Sequence, residues 1–581
     1  MKLVIHYVGR YKWRLLINVL CVFAWIGIEL GLPSLFAYMV DYGLAVNNRA
    51  VIWQSGIGMV LLSIMGLLGQ LLLADSVSRI TTGTVHDIRN DLYRHIQTFS
   101  QAEYEKFGIN ALITCITNDA YQVLMFLQQI LRTGFMTPLM FLSAMVMIIL
   151  RSPSLSVAIV VALLLIFAGI LLVVRVTTPI SERQQKGLDR INGQMREMLS
   201  GLRVIRSFNR EEFEAERFEE RSEEYSANSR KLFRIMGVAQ PAFFFVFHLV
   251  IAVVIWISSV QIDAGNLQVG DLIAFNEYVF HALFSFLMFA TVFMMYPRAA
   301  VSARRIQSVM ETQPSIGENP EGVFAAREKG TVVFDDVSFY YPGEEDTPVL
   351  SHVSFRVEAG QTVAFIGSTG SGKSTLIRLI PRLFDVTGGR ILVDGVDVRD
   401  FNLTALRERI GYIPQKALLF SGTIAENIRF GKHNATDSEI EKAADIAQAR
   451  HFIEDKKGGY DAYLAEAGSN MSGGQKQRLS IARAVVKEPE IFIFDDSFSA
   501  LDFKTDAKVR NRLAEETKGA TSLIVAQRIG TILDADTIIV LDEGEVVAQG
   551  THQELLKNSQ LYLQIARSQL SEKDLAQWLC E

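Results

Sequence analysis

Long apolar runs fill the first half of the chain, while polar and charged residues are spread through the second half. A helix needs about 20 apolar residues to cross a bilayer, and six runs reach that length. They are Leu15–Tyr38, Val51–Leu73, Leu124–Leu150, Leu155–Val176, Pro241–Ile262 and Leu272–Tyr296. The pattern predicts an all-α transmembrane domain with six helices over residues 1–300, followed by a soluble domain.

Basic residues between these runs predict which side of the membrane each connection faces. The connection around 41–50 carries one basic residue, Arg49, and the connection 263–271 carries none. The N-terminus and the stretch Arg175–Arg234 are rich in lysine and arginine. We therefore expect a multi-pass protein of the cell membrane with both termini in the cytoplasm. No cleavage site of a signal peptide follows the first run, so we expect the first helix to be retained.

The two cytoplasmic connections, 79–123 and 177–240, are long and charged, and their spacing of apolar residues predicts helices that project beyond the bilayer. Their tips, Ser100–Gly108 and Phe208–Phe218, mix aromatic and charged residues, as a short helix docking into a groove would. A solvated charged surface is the alternative interpretation of these tips.

Ionisable residues inside a membrane span are costly and therefore informative. Glu277 and His281 are four residues apart on one helix face, and Glu29 lies in the first span. We hypothesise that these three residues line a polar cavity that helps to select cationic amphiphiles; an interhelical hydrogen-bond network is the alternative. Asp75 and Arg79 are also four residues apart and predict an ion pair at the membrane interface.

A linker is predicted over 301–329, beginning with a basic helical exit from the membrane and continuing through a stretch with proline and glycine. The remaining residues, 330–581, form the second domain. Alternating apolar residues from Val332 to Tyr341 predict an antiparallel strand, with a hairpin at Pro342–Pro348.

The apolar strand Val363–Ile366 runs directly into a phosphate-binding loop of the form GxxxxGK[ST]. The loop comprises Gly367, Ser368, Thr369, Gly370, Ser371, Gly372, Lys373, Ser374 and Thr375. Its glycines let backbone N–H groups wrap phosphates, its lysine reaches the β and γ oxygens, and Ser374 offers a hydroxyl to Mg²⁺. The pattern predicts ATP and Mg²⁺ as ligands.

A second segment with nucleotide chemistry runs from Asn470 to Asp502. Apolar residues 491–494 predict a buried strand that delivers Asp495 to its carboxyl end, where open α/β sheets bind ligands. We expect this carboxylate to lie beside magnesium. Ahead of the strand, Ser472, Gly473, Gly474 and Gln475 open a basic helix whose N-terminus is able to hold a phosphate.

Composition excludes several further classes of function. The chain has 581 residues, is 49% hydrophobic and carries a net charge of −6, so it offers no basic footprint for nucleic acid. Its three cysteines, Cys21, Cys115 and Cys580, lie far apart, which predicts neither a disulfide framework nor a zinc site.

Together, these motifs resemble a half-size ABC exporter: a six-helix membrane domain followed by an α/β P-loop ABC ATPase with antiparallel β and helical subdomains. The resemblance makes Tyr341 the aromatic residue that stacks on adenine, with its neighbour Tyr340 as the possible substitute. Gln415 becomes the Q-loop glutamine beside magnesium and the attacking water, and Asp502 the D-loop aspartate. Residues 472–475 become the signature that closes over the partner's nucleotide. The two loop tips become coupling helices, and 423–452 a helical subdomain.

The chain departs from the family at three places. Asp496 stands where a catalytic glutamate is usual, and Gln527 stands where the switch histidine is usual. The run 466–470 replaces the usual Gly-Glu-Arg-Gly, which puts its contact with the cytoplasmic loops in doubt. The first two departures resemble the non-catalytic-site subunit of bacterial heterodimeric multidrug exporters.

We therefore expect a membrane-embedded exporter of amphiphilic small molecules that pairs with a second half-transporter carrying the usual glutamate and histidine. Its own site would bind ATP and hydrolyse it slowly. The alternatives are a lipid, peptide or peptide-antibiotic exporter, a homodimeric slow ATPase, and an ATP-gated channel or regulator. No peptidase-like stretch precedes Leu15, which weighs against a peptide-processing exporter.

Overall fold

The computed structural model describes residues 1–151, 153–326, 328–344, 347–517, 519–570 and 575. They form two compact units, one of Met1–Ile96 with Asn110–Thr312 and one of Gln97–Ile109 with Gln313–Glu581. Up to Thr312 the described α-helices are α1 (Lys2–Val8), α2 (Lys12–Met39), α3 (Arg49–Gln97), α4 (Gln101–Phe107), α5 (Ile109–Thr114), α6 (Ala120–Gln129), α7 (Met136–Arg151), α8 (Pro153–Ser207), α9 (Glu211–Asp263) and α10 (Val269–Glu311).

The first unit is a bundle of long apolar helices. Five stretches of described residues are long and apolar enough to cross a membrane: Lys2–Leu44, Arg49–Gln97, Ile109–Arg151, Glu211–Asp263 and Val269–Glu311. They contain five of the six predicted spans, which are thereby confirmed as apolar helices of sufficient length. The remaining span, Leu155–Val176, lies within α8, where several side chains fall outside the described set.

The core of this unit lies where α2 packs against α10. Val22 and Ile26 of α2 are buried there with Tyr278 and Leu283 of α10. In contrast, α3 leaves many of its apolar side chains exposed, including Leu68 and Leu72 and several others along the predicted span. Exposed apolar surface along a whole helix fits a position facing lipid rather than water.

The structure pairs the intramembrane residues across two helices. His281 Nε2 of α10 lies 3.3 Å from Glu29 Oε2 of α2, with both side chains largely buried, whereas Glu277 is exposed. An interhelical polar contact is therefore present between Glu29 and His281. The predicted ion pair is confirmed, since Arg79 Nε donates to Asp75 at 2.8 Å.

The two loop tips differ in structure. The first tip contains the predicted short helix, α4, whose N-terminus is closed by a capping box of Ser100 and Glu103. The prediction of a short helix at the second tip is wrong, because only residues 208–210 join α8 and α9. Asn209 reverses the chain there with a positive φ of 54°. Acidic residues in the first turn of α9 then favour a helix that continues without a break.

The predicted basic exit from the membrane is helical, as expected. It belongs to α10, which continues to Glu311, so the predicted linker of 301–329 begins inside this helix.

The second unit is an α/β domain with twelve strands among its described residues. They are β1 (Val332–Phe339), β2 (Leu350–Val357), β3 (Thr362–Gly367), β4 (Gly388–Val393), β5 (Val396–Asp397), β6 (Ile410–Ile413), β7 (Gly422–Thr423), β8 (Tyr463–Leu464), β9 (Ile491–Asp495), β10 (Thr521–Val525), β11 (Thr537–Asp542) and β12 (Glu545–Gly550). Its helices after Thr312 are α11 (Lys373–Leu379), α12 (Leu403–Glu408), α13 (Ile424–Arg429), α14 (Asp437–Ile446), α15 (Arg450–Glu454), α16 (Gly473–Val485), α17 (Phe503–Glu516), α18 (His552–Asn558) and α19 (Gln560–Gln569).

The strands form two main sheets and a short pair. A sheet of order β12-β11-β3-β10-β9-β6 has parallel pairs from β11 to β6 and an antiparallel edge strand, β12. A second sheet, β2-β1-β4-β5, is antiparallel. The predicted β1–β2 pairing is confirmed, although Glu345 and Asp346 of the hairpin lie outside the described residues. Helices α13, α14 and α15 confirm the predicted helical segment.

Candidate nucleotide site

The phosphate-binding loop lies at the carboxyl end of β3, a strand with buried central residues in the middle of the six-stranded sheet. Gly372, just before α11, has a φ of +90°, and a Cβ there would lie 2.7 Å from the carbonyl oxygen of Val349. Both its backbone conformation and the available space therefore require glycine. The predicted strand–loop–helix arrangement is present.

Lys373 folds back over its own loop. Its Nζ donates to the carbonyl oxygens of Gly367 at 2.9 Å and Ser368 at 2.6 Å, and to Ser371 Oγ at 3.1 Å. Burial lowers the pKa of this ammonium group from its ordinary value. The amine thus lies inside the loop, where it is able to exchange carbonyl partners for phosphate oxygens.

Asp495 is fully buried at the end of β9 and takes three donors. Ser374 Oγ donates to Oδ1 at 2.6 Å, Tyr412 OH donates to Oδ2 at 3.1 Å, and Arg378 lies 3.5 Å from Oδ2. Burial and the nearby carboxylate raise the pKa of Tyr412 to about 12, so this hydroxyl stays protonated and able to donate.

This pair of oxygen ligands fits Mg²⁺. Magnesium is usually held by one or two protein oxygens together with substrate phosphates and water, and Ser374 Oγ and Asp495 Oδ1 lie side by side next to the phosphate loop. Among the described residues, no cluster of three or more acidic, histidine or cysteine side chains offers an alternative metal cage. Bound there, Mg²⁺ would neutralise charge on the β and γ phosphates.

Asp496, the next residue, has a different environment. Gln415 Nε2 donates to its Oδ2 at 3.1 Å, and Gln527 Nε2 donates to the same oxygen at 3.0 Å. The Asp496 backbone has a φ of 48°. Burial raises the pKa of this carboxyl group, an effect that the hydrogen bond from Gln415 opposes.

Three sequence-predicted residues, Gln415, Asp496 and Gln527, are thus brought together on one carboxylate oxygen. They come from three neighbouring strands of the sheet: Gln415 follows β6, Asp496 follows β9 and Gln527 follows β10. Because the carboxyl ends of parallel strands meet at one edge, the sheet topology itself assembles the cluster.

Tyr341 lies apart from this cluster, at the other end of the phosphate loop. Its hydroxyl is 2.9 Å from Thr375 Oγ1, and its ring packs edge-on against Phe339 and Phe384. A cleft of about 900 Å³ adjoins the ring and is lined by Tyr340, Phe384 and residues of α4. One wall of the predicted adenine position is therefore aromatic.

The signature forms a helix cap. Gln475 N donates to Ser472 Oγ at 3.3 Å, and Ser472 N donates to Gln475 Oε1 at 3.0 Å, at the start of α16. Within the described residues, no hydrogen bond or ion pair joins 472–475 to this chain's own phosphate loop. Asp502 caps α17 by accepting from Thr505 N at 3.0 Å.

Comparison with known proteins identifies the architecture. A family model described as the ABC transporter transmembrane region matches residues 15–305, and one described as ABC transporter matches residues 350–499. The chain belongs to the ABC transporter family. It is a half-size, ATP-driven ABC exporter whose membrane-embedded helical domain precedes its ATPase domain, as predicted.

Several relatives of this ABC exporter cover nearly all of it. An uncharacterised ABC transporter ATP-binding protein of Mycobacterium tuberculosis is 38% identical over 93% of both chains. YfiB of Bacillus subtilis, also uncharacterised, is 36% identical over 94% of this chain and 95% of its own. A Staphylococcus aureus protein with the provisional name of a multidrug export ATP-binding/permease protein is 31% identical over 96% of this chain and 98% of its own.

A solved structure shows the same fold. The structure of a bacterial Atm1-family ABC exporter with ATP bound superposes with a TM-score of 0.80 at 26% identity, covering 97% of this chain and 99% of the other. The similarity extends over both the membrane and the ATPase parts of the transporter.

The segment before the signature of this ABC exporter is held by Asn470. Its side chain accepts from Ala465 N at 3.1 Å and donates to the carbonyl oxygen of Tyr463 at 3.0 Å. Ala467 has a positive φ of 52°, and Lys476 Nζ donates to its carbonyl oxygen at 2.9 Å. Asn470 and Lys476 thus order the segment that departs from the family pattern.

Sequence reasoning missed three groups around the two aspartates. Tyr412 and Arg378 contact Asp495, and Ser499 Oγ donates to the backbone oxygen of Asp496 at 2.8 Å. Tyr412 belongs to β6, which pairs with β9 in the sheet, so strand pairing was the signal that could have placed this residue beside Asp495.

Of the three cysteines, Cys21 and Cys115 are free and buried, while Cys580 lies outside the described residues.

Proposed function

We propose that this chain is one half of a heterodimeric exporter of amphiphilic compounds, including drugs, across the cytoplasmic membrane. In this proposal both termini lie in the cytoplasm. The transmembrane domain is 1–300, the linker 301–329 and the ATPase domain 330–581. The chain's own site binds ATP with Mg²⁺ and hydrolyses it slowly. The observation that carries the proposal is the position of Asp496 between two neutral amide donors.

A slow site follows from the chemistry of this cluster. Hydrolysis of the γ-phosphate needs a carboxylate that accepts a hydrogen bond from the attacking water. Asp496 is one methylene shorter than glutamate, and its Oδ2 already accepts hydrogen bonds from Gln415 and Gln527. An error of about 1 Å in placement costs about 10²-fold in rate. Gln527 is also unable to carry the positive charge that a switch histidine offers.

The initial binding of ATP depends on other residues. Lys373, Ser374 and Asp495 retain the residue types that phosphate and magnesium binding need, and Ser374 donates a hydrogen bond to Asp495. The signature residues 472–475 likewise keep a helix N-terminus for a phosphate. We assign this N-terminus to the partner's nucleotide, where it completes a site with the usual glutamate and histidine.

Transport in this proposal follows alternating access. Two ATP molecules draw the ATPase domains together, the cavity opens outward, and hydrolysis at the partner's competent site resets the transporter. The name of the Staphylococcus aureus relative supports drugs as cargo. The polar Glu29–His281 pair, set among apolar helices, supports a site for cationic amphiphiles.

Purification of the tagged full-length chain from its native membrane tests the pairing. We expect a second half-transporter in equal amount, with glutamate at the position equivalent to Asp496 and histidine at the position equivalent to Gln527. Recovery of a homodimer alone would refute the heterodimer.

Transport assays in vesicles containing this complex test the cargo. Glu29→Gln should reduce transport of a cationic dye more than transport of a neutral dye of similar size. Equal reduction of both, or no change in either, would contradict a role of Glu29 in selecting cations.

A further inference from the structure

Helix α19 contacts residues 527–531, here called the switch segment, through its last residue, Gln569. Gln569 Nε2 donates to the carbonyl oxygen of Gln527 at 2.8 Å, and Gln569 Oε1 accepts from Ile529 N at 2.9 Å. One side-chain amide therefore bonds both backbone groups along one edge of residues 527–529. This is the pairing that a neighbouring strand would make.

Other residues of α19 dock this helix onto the domain. The helix is anchored by Tyr562 and Ala566, both fully buried, and Tyr562 OH lies 2.6 Å from His552 Nδ1 of α18. Gln569 itself lies on the exposed side. Its bonds therefore stabilise the switch segment more than they stabilise the helix.

The same segment is held from a second side by α17. Arg510 Nη2 donates to the carbonyl oxygen of Gly530 at 3.3 Å, and Thr531 Oγ1 donates to Asp506 Oδ2 at 3.4 Å. Arg510 Nε also donates to Asp506 Oδ1 at 2.9 Å. These bonds hold residues 530 and 531, Arg528 Nη2 donates to the carbonyl oxygen of Ser499 at 3.3 Å, and the Ile529 side chain is fully buried. Gln569 adds the bonds to the Gln527 carbonyl oxygen and the Ile529 N–H.

We propose that Gln569 is a positioning residue for the nucleotide site: by holding the backbone of 527–529, it aims the Gln527 side chain at Asp496. Gln527 Nε2 donates to Asp496 Oδ2 at 3.0 Å, so displacement of its backbone loosens one of the two donors on that carboxylate. The inference rests on the proposed role of Gln527 at the γ-phosphate. In this proposal α19 is one of the elements that control how long this site holds ATP.

The test uses the full-length transporter complex with radiolabelled ATP and Mg²⁺. The readout is the half-life of nucleotide held at this chain's site, identified by photo-crosslinking to this chain. Gln569→Ala should shorten this half-life about tenfold, near the upper limit for the loss of one neutral hydrogen bond. The affinity for ATP measured before the ATPase domains close should stay unchanged. Gln564→Ala, an exposed glutamine on the same helix, is the matched control and should behave like the unmodified chain.

Two further variants separate positioning from folding. Gln569→Glu keeps the acceptor for Ile529 N and places a carboxylate against the Gln527 carbonyl, so it should shorten the half-life at least as much as alanine at an unchanged melting temperature. In a Gln527→Ala background, Gln569→Ala should have no further effect. An effect of the same size in that background, or a Gln569→Ala half-life equal to that of Gln564→Ala, would overturn the inference.

This test remains distinct from the test of the proposed function. If the site proves to hydrolyse ATP rapidly, the slow-site proposal fails, and the same variants are scored by the turnover rate at this site. Non-additivity between positions 527 and 569 then still supports positioning, and additivity still refutes it.

Discussion

Asp495 and Asp496 are adjacent carboxylates at the end of one buried strand, yet the protein surrounds them differently. Asp495 lies near the guanidinium of Arg378 and accepts from two hydroxyl groups. Asp496 accepts from two neutral amides, and burial raises its pKa. Burial disfavours the charged form of a carboxyl group, so the environment of Asp496 weakens the charge that a base needs, an effect that Arg528 opposes only in part. ATP binding and ATP hydrolysis are thereby separable at neighbouring residues.

Restoring the usual residue types on the Asp496 side should have the largest effect. In the complex with the second half-transporter, Asp496→Glu combined with Gln527→His should raise the rate of ATP hydrolysis at this chain's site about 10²-fold, a typical contribution of a placed general base. Conversion to ADP of the radiolabelled ATP that is photo-crosslinked to this chain measures this rate. Asp496→Asn with Gln527→His is the control and should stay slow. An unchanged rate in the glutamate variant would show that these two positions do not limit the site.

Removing the lysine of the phosphate loop should affect binding instead. Lys373→Ala should weaken ATP binding about 10–100-fold, because hydrogen bonds from a charged donor contribute about 1.5–3 kcal/mol each. Titration with a fluorescent ATP analogue measures the affinity. Asp496→Asn should leave this affinity within about twofold. If the two variants weakened binding equally, the separation of the two aspartates would be wrong.

A smaller change tests the Asp495 side alone. Tyr412→Phe removes one hydroxyl donor from Asp495 Oδ2 and should weaken binding of Mg²⁺–ATP about 3–10-fold, the range expected for one neutral hydrogen bond. The hydrolysis rate at saturating ATP should not change. Tyr463→Phe, at an exposed tyrosine of the same unit, is the control and should have no effect on either quantity.

The smallest expected effect is on the pH dependence of thermal stability, which tests whether burial of the Asp496 carboxylate is costly. A carboxyl group with a raised pKa in the folded state stabilises the protein at low pH, and this contribution is lost as pH rises through that pKa. Asp496→Asn removes the buried charge, and its carbonyl oxygen is able to accept from both glutamines. The variant should therefore melt at a higher temperature than the unmodified chain at pH 7, with a difference that shrinks on acidification. A variant that melts lower at pH 7 would contradict this account.

The sequence was sufficient to predict the structural features that depend on local residue patterns. Apolar runs predicted the membrane helices, and the glycine spacing after β3 predicted the phosphate loop. Ser100 and Glu103, three residues apart, form the cap of the helix predicted at the first tip. The prediction of a short helix at the second tip was wrong because polar composition does not distinguish a docking helix from a turn between two long helices.

Features that depend on strand order could not be predicted in the same way. Gln415, Asp496 and Gln527 were each identified from the family pattern, but their convergence on one oxygen follows from the adjacency of β6, β9 and β10. Gln569 carried no signal in the sequence, since it is a polar residue at the end of an amphipathic helix. Its relation to the site arises only when α19 packs beside the switch segment.

The most direct test of the central claim is the chemical identity of the nucleotide bound to the unmodified chain. The transporter complex is loaded with radiolabelled ATP and Mg²⁺ and separated from free nucleotide, and the nucleotide that photo-crosslinks to this chain is analysed over several minutes. The account predicts that the bound nucleotide remains mainly ATP throughout, and that Lys373→Ala retains almost none. Conversion of the bound nucleotide to ADP with repeated turnover in the unmodified chain would contradict it.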